Sequence, residues 1–211
     1  PDSQALYCGA VRDTGPVSVL CLEGPGPVGI GVGSGWTPLS LTCTATRTEG
    51  SLVHELDGQP AAEVYAEAQP GSAQDPTRFP LGIALPEDQW LIRSVLAIEG
   101  TSLRLGADLP AGTEVRVMAA STNGLQHATQ DAAVTALKRL EGQAPSAVLV
   151  VEGAARRAVQ NGSGRREWEM IREQIPAGTP LLGWLTASEL VPSGSGQVTL
   201  QNGTVTVIAF P

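Results

Sequence analysis

Basic side chains and long apolar runs are both scarce in this sequence. Lysine and arginine together number 13, against 21 aspartate and glutamate residues, which gives a formal charge of −8. Binding to nucleic-acid phosphates needs a positive surface, so this balance argues against nucleic acid as a main partner. No apolar run approaches the roughly 20 residues of a membrane-spanning helix, so a membrane partner is not expected either.

Aromatic residues, cysteine and histidine are also few. Aromatics make up 4% of the 211 residues, so the core has to be built mainly from valine, leucine, isoleucine and alanine. Three cysteines without close pairing favour reduced thiols in the cytoplasm over a disulfide framework. Two distant histidines lack metal-ligand spacing, and no motif marks an activated nucleophile. We therefore expect no metal, no cofactor and no enzymatic activity.

Glycine, by contrast, is abundant, and residues 24–35 are rich in it. The first three of these glycines follow an apolar stretch at 17–22 and match G-x-G-x-x-G, a turn that holds pyrophosphate at a helix N-terminus. Glycine at every second position after Gly29 costs about 1 kcal/mol each in a helix, so the match is false. Period two instead predicts a strand with one bare face. Either Trp36 or a neighbouring layer covers that face, or a ligand approaches it.

The remaining segments predict an α+β fold with a large, mostly antiparallel sheet system and a few covering helices. The predicted strands are 17–22, 28–35, 39–45, 51–56, 79–85, 90–99, 103–105, 115–118, 147–151, 180–187, 197–201 and 204–210, and the predicted helices are 61–68, 123–140 and 165–174. Asn123 is the predicted cap of the second helix, which carries an alanine-rich stripe at every fourth residue from 128 to 140. Asn202-Gly203, between the last two strands, predicts a hairpin with a type I′ turn.

A single charge within an apolar strand is the first candidate for a ligand contact. Arg93 lies in the predicted strand 90–99, and a buried guanidinium has to be met by other groups. An acid such as Glu99 or Asp108, several carbonyl groups, or an anionic ligand would each satisfy it.

Two further groups of polar residues follow apolar strands. Arg156 and Arg157 come after the strand 147–151, and open sheets place their ligand crevices at such strand ends. Arg165-Arg166 lie further along the chain. A charged, solvent-facing helix end is the alternative. Glu189 follows the strand 180–187, in which Trp184 could wall a pocket, although a carboxylate at a strand end is usually solvated.

Taken in order, several segments resemble the FIST sensor proteins. "GVGSGWTPLS" and "ELDGQPAAEVYAE" resemble the junction between the two halves of those proteins, and "FPLGIAL" with "EVRVM" resembles the start of the C-terminal half. "PLLGWLTASEL" and "VTLQNGT" resemble the closing motif, G-[FY]-x-x-x-G-E-[IL] followed by a sequence close to H-N-x-T. Ser188 and Gln201 depart from this motif at its second glycine and its histidine. Near Arg156 the family often has a cysteine, which this chain lacks.

The resemblance implies a domain division and a function. Residues 1–57 are expected to be the end of a truncated FIST N-like half, and 58–211 a FIST C-like domain, with the two packed as one unit. The implied function is that of a cytoplasmic sensory domain in signal transduction, which binds a small ligand such as an amino acid and acts on signalling proteins without catalysis. A protein-interaction scaffold without a small ligand is the alternative.

Six side chains are the predicted ligand contacts, and they come from the last two thirds of the chain. They are Arg93, Arg156, Trp184, Glu189, Asn202 and Thr204. A concave site of roughly 300 Å³ or more that holds two of them would favour the sensor over the scaffold.

Overall fold

The computed structural model describes residues 6–8, 11–13, 24, 26–40, 42–70, 75–86, 88–160, 167–192 and 198–211. The predicted apolar stretch at 17–22 and the Arg165-Arg166 pair lie outside these residues. The described part of the chain is an α+β fold, as predicted. Its strand pairings are antiparallel with one exception.

The elements follow one another with mostly short connections. The strands are β1 Leu6–Cys8, β2 Val11–Asp13, β3 Gly29–Gly33, β4 Thr37–Pro38, β5 Cys43–Glu49, β6 Leu52–Leu56, β7 Gln59–Pro60, β8 Leu81–Ala84, β9 Trp90–Arg93, β10 Val95–Glu99, β11 Ser102–Leu105, β12 Glu114–Ala119, β13 Ala147–Gly153, β14 Leu181–Thr186, β15 Glu189–Pro192, β16 Val198–Gln201 and β17 Val205–Phe210. The helices are α1 Ala61–Glu67, α2 Thr122–Lys138, α3 Ala154–Gln160 and α4 Glu167–Gln174, with a 3-10 turn at Pro76–Arg78. Among the described helices, none combines the length and the apolar character needed to cross a membrane.

The larger sheet has nine strands and carries the first core. Its order is β10-β11-β6-β5-β12-β8-β9, and β4 and β7 add to β12 and β6 respectively. Alternating apolar side chains such as Val53, Leu103 and Val115 share this core with Tyr65 of α1. Burial of these side chains removes apolar surface from water, which is the main force that holds the sheet to the helix.

The smaller sheet has four strands, in the order β14-β13-β17-β3. The pairing of β13 with β14 is parallel, while β17 runs antiparallel to both β13 and β3. Helices α2 and α4 pack on one face of this sheet, where Val148 and Val207 meet Ala132 and Ile171. The second core therefore lies between this sheet face and the two helices.

The glycines of β3 let α2 approach the sheet at backbone distance. A Cβ added to Gly29 would lie 1.9 Å from the carbonyl oxygen of Ala136 in α2, and one added to Gly31 would lie 1.9 Å from that of Ala132. A Cβ on Gly33 would lie 2.2 Å from the carbonyl oxygen of Ala128. Every second residue of β3 meets every fourth residue of α2, because two strand residues advance about 6.7 Å and four helix residues about 6 Å. The bare face of the strand is thus covered by a neighbouring layer, without room for a ligand.

Two predictions of local structure were wrong in detail, and one helix was missed. The predicted strand 90–99 is two strands, because the chain leaves one sheet position at Ser94 and β9 and β10 pair with different neighbours. The cap of α2 is Ser121, whose Oγ accepts from the backbone N of Gly124 at 3.0 Å. Helix α3 was not predicted, since its apolar residues are too few to give a helical period.

The predicted terminal hairpin was also wrong. Strand β16 pairs with β15, and β17 pairs with β13 and β3, so the two strands around Asn202-Gly203 belong to different sheets. A type I′ turn needs positive φ at both central residues, and of this pair only Gly203 has it, at 93°. The segment is a corner between sheets.

Candidate functional site

The carboxylate of Glu189 lies at this corner and is almost fully buried. Its Oε2 accepts from the backbone N of Gly203 and of Thr204, both at 3.1 Å, and from Oγ1 of Thr204 at 2.9 Å. Its Oε1 accepts from Oγ1 of Thr186 at 2.9 Å. A buried carboxylate needs such donors. Three of the four hold β15 to the start of β17, and the fourth joins β15 to β14.

Residues 201–204, here called the QNGT corner, also tie the smaller sheet to β9 of the larger one. The backbone N of Ile92 donates to Oε1 of Gln201 at 2.8 Å, and the backbone N of Asn202 donates to the carbonyl of Ile92 at 3.2 Å. Trp36 donates from Nε1 to the carbonyl of Gly203 at 2.8 Å. Glu189, Asn202 and Thr204, three of the predicted contacts, therefore come together through hydrogen bonds within the protein.

Arg93 is buried and is met by backbone carbonyl groups. Its Nη1 donates to the carbonyls of Leu200 at 2.7 Å and Ile92 at 3.2 Å, and its Nε donates to the carbonyl of Asp108 at 3.3 Å. Burial lowers the pKa of this guanidinium, an effect that the nearby charge of Asp108 opposes. An acid, several carbonyl groups or an anionic ligand were the three possible partners of Arg93, and the partners observed are carbonyl groups.

The predicted acid partners of Arg93 are engaged differently. Glu99 forms a two-point pair with Arg104, with an Nη2–Oε2 distance of 2.8 Å and an Nε–Oε1 distance of 3.0 Å. Asp108 offers its main-chain carbonyl. No ion pair joins Arg93 to a carboxylate within the described ranges.

Arg156 is fully buried and connects four parts of the fold. Its Nη2 donates to the carbonyl of Leu125 and to Oγ1 of Thr129, both at 2.9 Å, and to the carboxylate of Glu167. Its Nη1 donates to the carbonyl of Ser34. The interpretation of this residue as part of a solvent-facing helix end was therefore wrong. Arg156 joins α3 to α2, α4 and the segment after β3.

Two cavities in the described part of the chain each have one of the six predicted contacts in their lining. The first, of about 400 Å³, lies among β3, α2, β9 and the β15–β16 hairpin, and only Thr204 of the six predicted contacts lines it. The second, here called the α4 cavity, has about 470 Å³ and is formed by β13, β14, α3 and α4. Trp184 is the one predicted contact that borders it. Neither cavity holds two of the six.

The side chain of Trp184 points away from the helices. Strand residues alternate between faces, and the register pairs Trp184 with Val151, while Gly183 and Leu185 pair with Val150 and Glu152. The indole is therefore on the opposite face from the α4 cavity, which Trp184 borders as part of the edge strand. Leu185 and Trp168 of α4 supply the apolar wall.

Charged groups of both signs line the α4 cavity. Glu152 enters from β13, Arg157 from α3, and Glu167 and Arg172 from α4. Burial, followed by the neighbouring charge of Glu167 and a hydrogen bond to it, raises the pKa of Glu152 to about 8. A carboxyl with such a pKa carries a proton at neutral pH, which marks it as a functional candidate.

Sequence reasoning missed Glu152, Glu167, Trp168 and Arg172. One signal was available for Glu152, which is the single acidic residue in the apolar stretch "AVLVVEG" and lies near the carboxyl end of a buried strand. The others come from a short polar helix whose position over the sheet is a tertiary feature. The described residues contain no group of three or more His, Cys, Asp or Glu side chains that could hold a metal ion.

Comparison with known proteins bears on both parts of the chain. The FIST C domain matches residues 61–192, and the FIST N domain matches residues 3–59. Neither the curated proteins nor the solved structures give a significant match. FIST domains are described as sensory domains in signal transduction. Since the two matches together span most of the sequence, as the order of its motifs predicted, the chain belongs to the FIST family.

Proposed function

We propose that this chain is a sensory domain that binds a small metabolite with both an ammonium and a carboxylate group, such as an amino acid, in the α4 cavity. One observation carries the proposal: a cavity of about 470 Å³ lined by acidic, basic and apolar side chains together. Pockets for small ligands have volumes of about 300–1,000 Å³ and combine apolar walls with a few polar groups.

The arrangement of the charges suits such a ligand. Arg157 and Arg172 supply guanidinium groups for a carboxylate, and Glu152 supplies a carboxyl group for an ammonium. Trp168 is half exposed, and its indole offers an apolar surface for a side chain. The cavity lies along the face of the parallel strands β13 and β14, and Glu152 enters it near the carboxyl end of β13, where open sheets bind ligands.

The six residues predicted from the sequence have different places in this proposal. Trp184 borders the cavity from the edge strand, and Arg156 fixes the carboxylate of Glu167 at its floor. Arg93 donates to the carbonyl of Leu200, next to the QNGT corner, and Glu189, Asn202 and Thr204 form hydrogen bonds at that corner. We propose a cytoplasmic location, consistent with the buried free thiol of Cys43.

A thermal-shift screen of the twenty amino acids against this chain tests the proposal. A ligand at 100 times its Kd should raise the free energy of unfolding by about 2.7 kcal/mol. Leu185→Ala changes the cavity wall and should reduce the shift, while Leu182→Ala, on the opposite face of the same strand, should leave it unchanged. Equal shifts in both variants would place the ligand elsewhere.

A second candidate function is the docking of a partner protein. The register of the β15–β16 hairpin puts four apolar side chains on one face, where all are exposed: Leu190, Pro192, Val198 and Leu200. Exposed apolar patches of this kind mark interaction surfaces. Leu190→Ser would weaken such docking without changing a ligand-induced shift, so the two functions separate in one pair of assays.

A further inference from the structure

Two carboxyl groups in the α4 cavity each have a buried oxygen without a donor. Within the described residues, no hydrogen-bond donor reaches Oε1 of Glu152 or Oε2 of Glu167. The two side chains line the same cavity, and the charge of Glu167 and a hydrogen bond to it are among the causes that raise the pKa of Glu152. Two neighbouring ionised carboxylates repel each other, whereas one shared proton satisfies both, as in other paired acids. Because its pKa is raised to about 8, Glu152 carries this proton at neutral pH.

The groups around the two carboxyls differ. Glu167 already accepts an N–H from Arg156 at its other oxygen, Oε1. Around Glu152, α3 contributes Arg156 and Arg157, and α4 contributes Glu167 and Arg172. The neighbouring strands place uncharged residues beside it, Leu185 on β14 and Val205 on β17. Among the described groups of this cluster, Glu152 thus offers a proton that a bound cation can replace.

We propose that the ammonium group of the ligand binds at Glu152 by replacing this proton. In the empty cavity Glu152 is a neutral carboxylic acid hydrogen-bonded to Glu167. On binding, the proton leaves for solvent, the carboxylate of Glu152 accepts N–H bonds from the ligand's ammonium, and the charge of that ammonium takes the place of the charge of the proton, while the ligand's carboxylate adds one negative charge beside Arg157 and Arg172. The inference rests on the proposed function and adds its chemistry: the ligand is recognised as a primary amine, with release of a proton.

Proton exchange makes the affinity depend on pH in a defined direction. Below the pKa of about 8, the ligand has to displace the proton of Glu152, and the free-energy cost of removing this proton rises as the pH falls. The affinity should therefore rise about 50-fold between pH 6 and pH 8, as long as the ligand's amine stays charged. Near pH 7, calorimetry in two buffers of different ionisation enthalpy should detect about 0.9 proton released per ligand bound.

The test uses the twenty amino acids and their N-acetyl counterparts as probes, in thermal-shift and calorimetric titrations from pH 6 to pH 8. We expect the free amino acids to bind with the stated pH dependence and the acetylated compounds to lose at least tenfold in affinity. Glu152→Gln keeps an N–H donor towards Glu167, so it should fold, and should lose both the pH dependence and the preference for the amine. Glu169→Gln, on α4 but outside the cavity, is the matched control and should change neither.

The outcomes separate this inference from the proposed function. If acetylated compounds bind as well as free amino acids and Leu185→Ala still reduces the shift, the amine inference fails while the sensory proposal stands. An affinity that is flat from pH 6 to pH 8, or that keeps its pH dependence in Glu152→Gln, also overturns the inference. If none of the forty compounds stabilises the chain, both proposals fail together.

Discussion

Gly31 of β3 is the position where the close approach of α2 is most demanding. A Cβ there would lie 1.9 Å from the carbonyl oxygen of Ala132, 2.7 Å from its carbonyl carbon and 3.0 Å from the backbone N of Ala136. All three atoms belong to the helix backbone, so no side chain can rotate to make room. Gly31→Ala therefore forces α2 and the sheet apart by roughly 1.5 Å, if an ordinary contact is about 3.4 Å.

The cost of this displacement follows from the packing it disturbs. Overpacking of a close-packed interior costs about 1–3 kcal/mol. Replacing glycine also lowers the conformational entropy of the unfolded chain, which raises the free energy of unfolding by about 0.4–1 kcal/mol. We expect the free energy of unfolding to fall by about 1–2 kcal/mol, which for a chain of this size lowers Tm by about 2–8 °C.

Thermal and urea unfolding measure the effect, and Gly24→Ala is the control. Gly24 has no atom within 4 Å of an added Cβ and lacks a positive φ, so its replacement should change the free energy of unfolding by less than about 0.5 kcal/mol. The urea m-value should be the same in all three proteins, because the surface exposed on unfolding is the same. A Gly31→Ala variant as stable as the Gly24→Ala control would refute the proposed contact between strand and helix.

Three further predictions concern ionisable side chains of the interior. Glu189→Gln replaces one acceptor oxygen by an amide NH2, which faces donors that it cannot accept from. Urea unfolding should show that the free energy of unfolding falls by about 1–3 kcal/mol. An unchanged midpoint would mean that Oε2 is not bound as described. Arg93→Lys loses the planar group that reaches three carbonyls and should also lower the free energy of unfolding, by about 1–2 kcal/mol, without altering amino-acid binding; weaker binding with intact stability would instead indicate an anionic ligand at Arg93. Because the pKa of Glu152 is raised from 4.5 to about 8, the folded state binds the proton more tightly, and the free energy of unfolding should fall as pH rises across this interval. Glu152→Gln should remove that slope in pH-dependent thermal unfolding, and a slope of the same size in the variant would contradict the assignment.

Features that depend on spacing within one segment could be predicted from the sequence. Alternation in residues 28–35 predicted β3 with a bare face, and the alanine-rich stripe of residues 128–140 predicted one face of α2. Neither pattern shows that the two faces meet. The structure adds this, and it also decides between the alternatives that the glycines had left open.

Features that depend on which elements become neighbours could not be predicted. Asn202-Gly203 has the composition of a hairpin turn, but β17 pairs with β13 and β3, and the corner is stabilised by Glu189 from another strand. The meeting of Glu152 and Glu167 likewise depends on the position of α4 over β13. A buried charge indicates that a partner exists, whereas the identity of that partner is set by packing.

The order of strands in the smaller sheet has a consequence for how the chain folds and how it can be divided. Trp36 and Gly203, which bond beside β3 and β17, are 167 positions apart. Contacts between such distant residues slow folding, because a long loop has to close before they stabilise anything. A fragment cut at residues 61 and 192, the limits of the FIST C match, would lack both β3 and β17. It would leave β13 with an open edge that can pair with other chains, so we expect this fragment to aggregate.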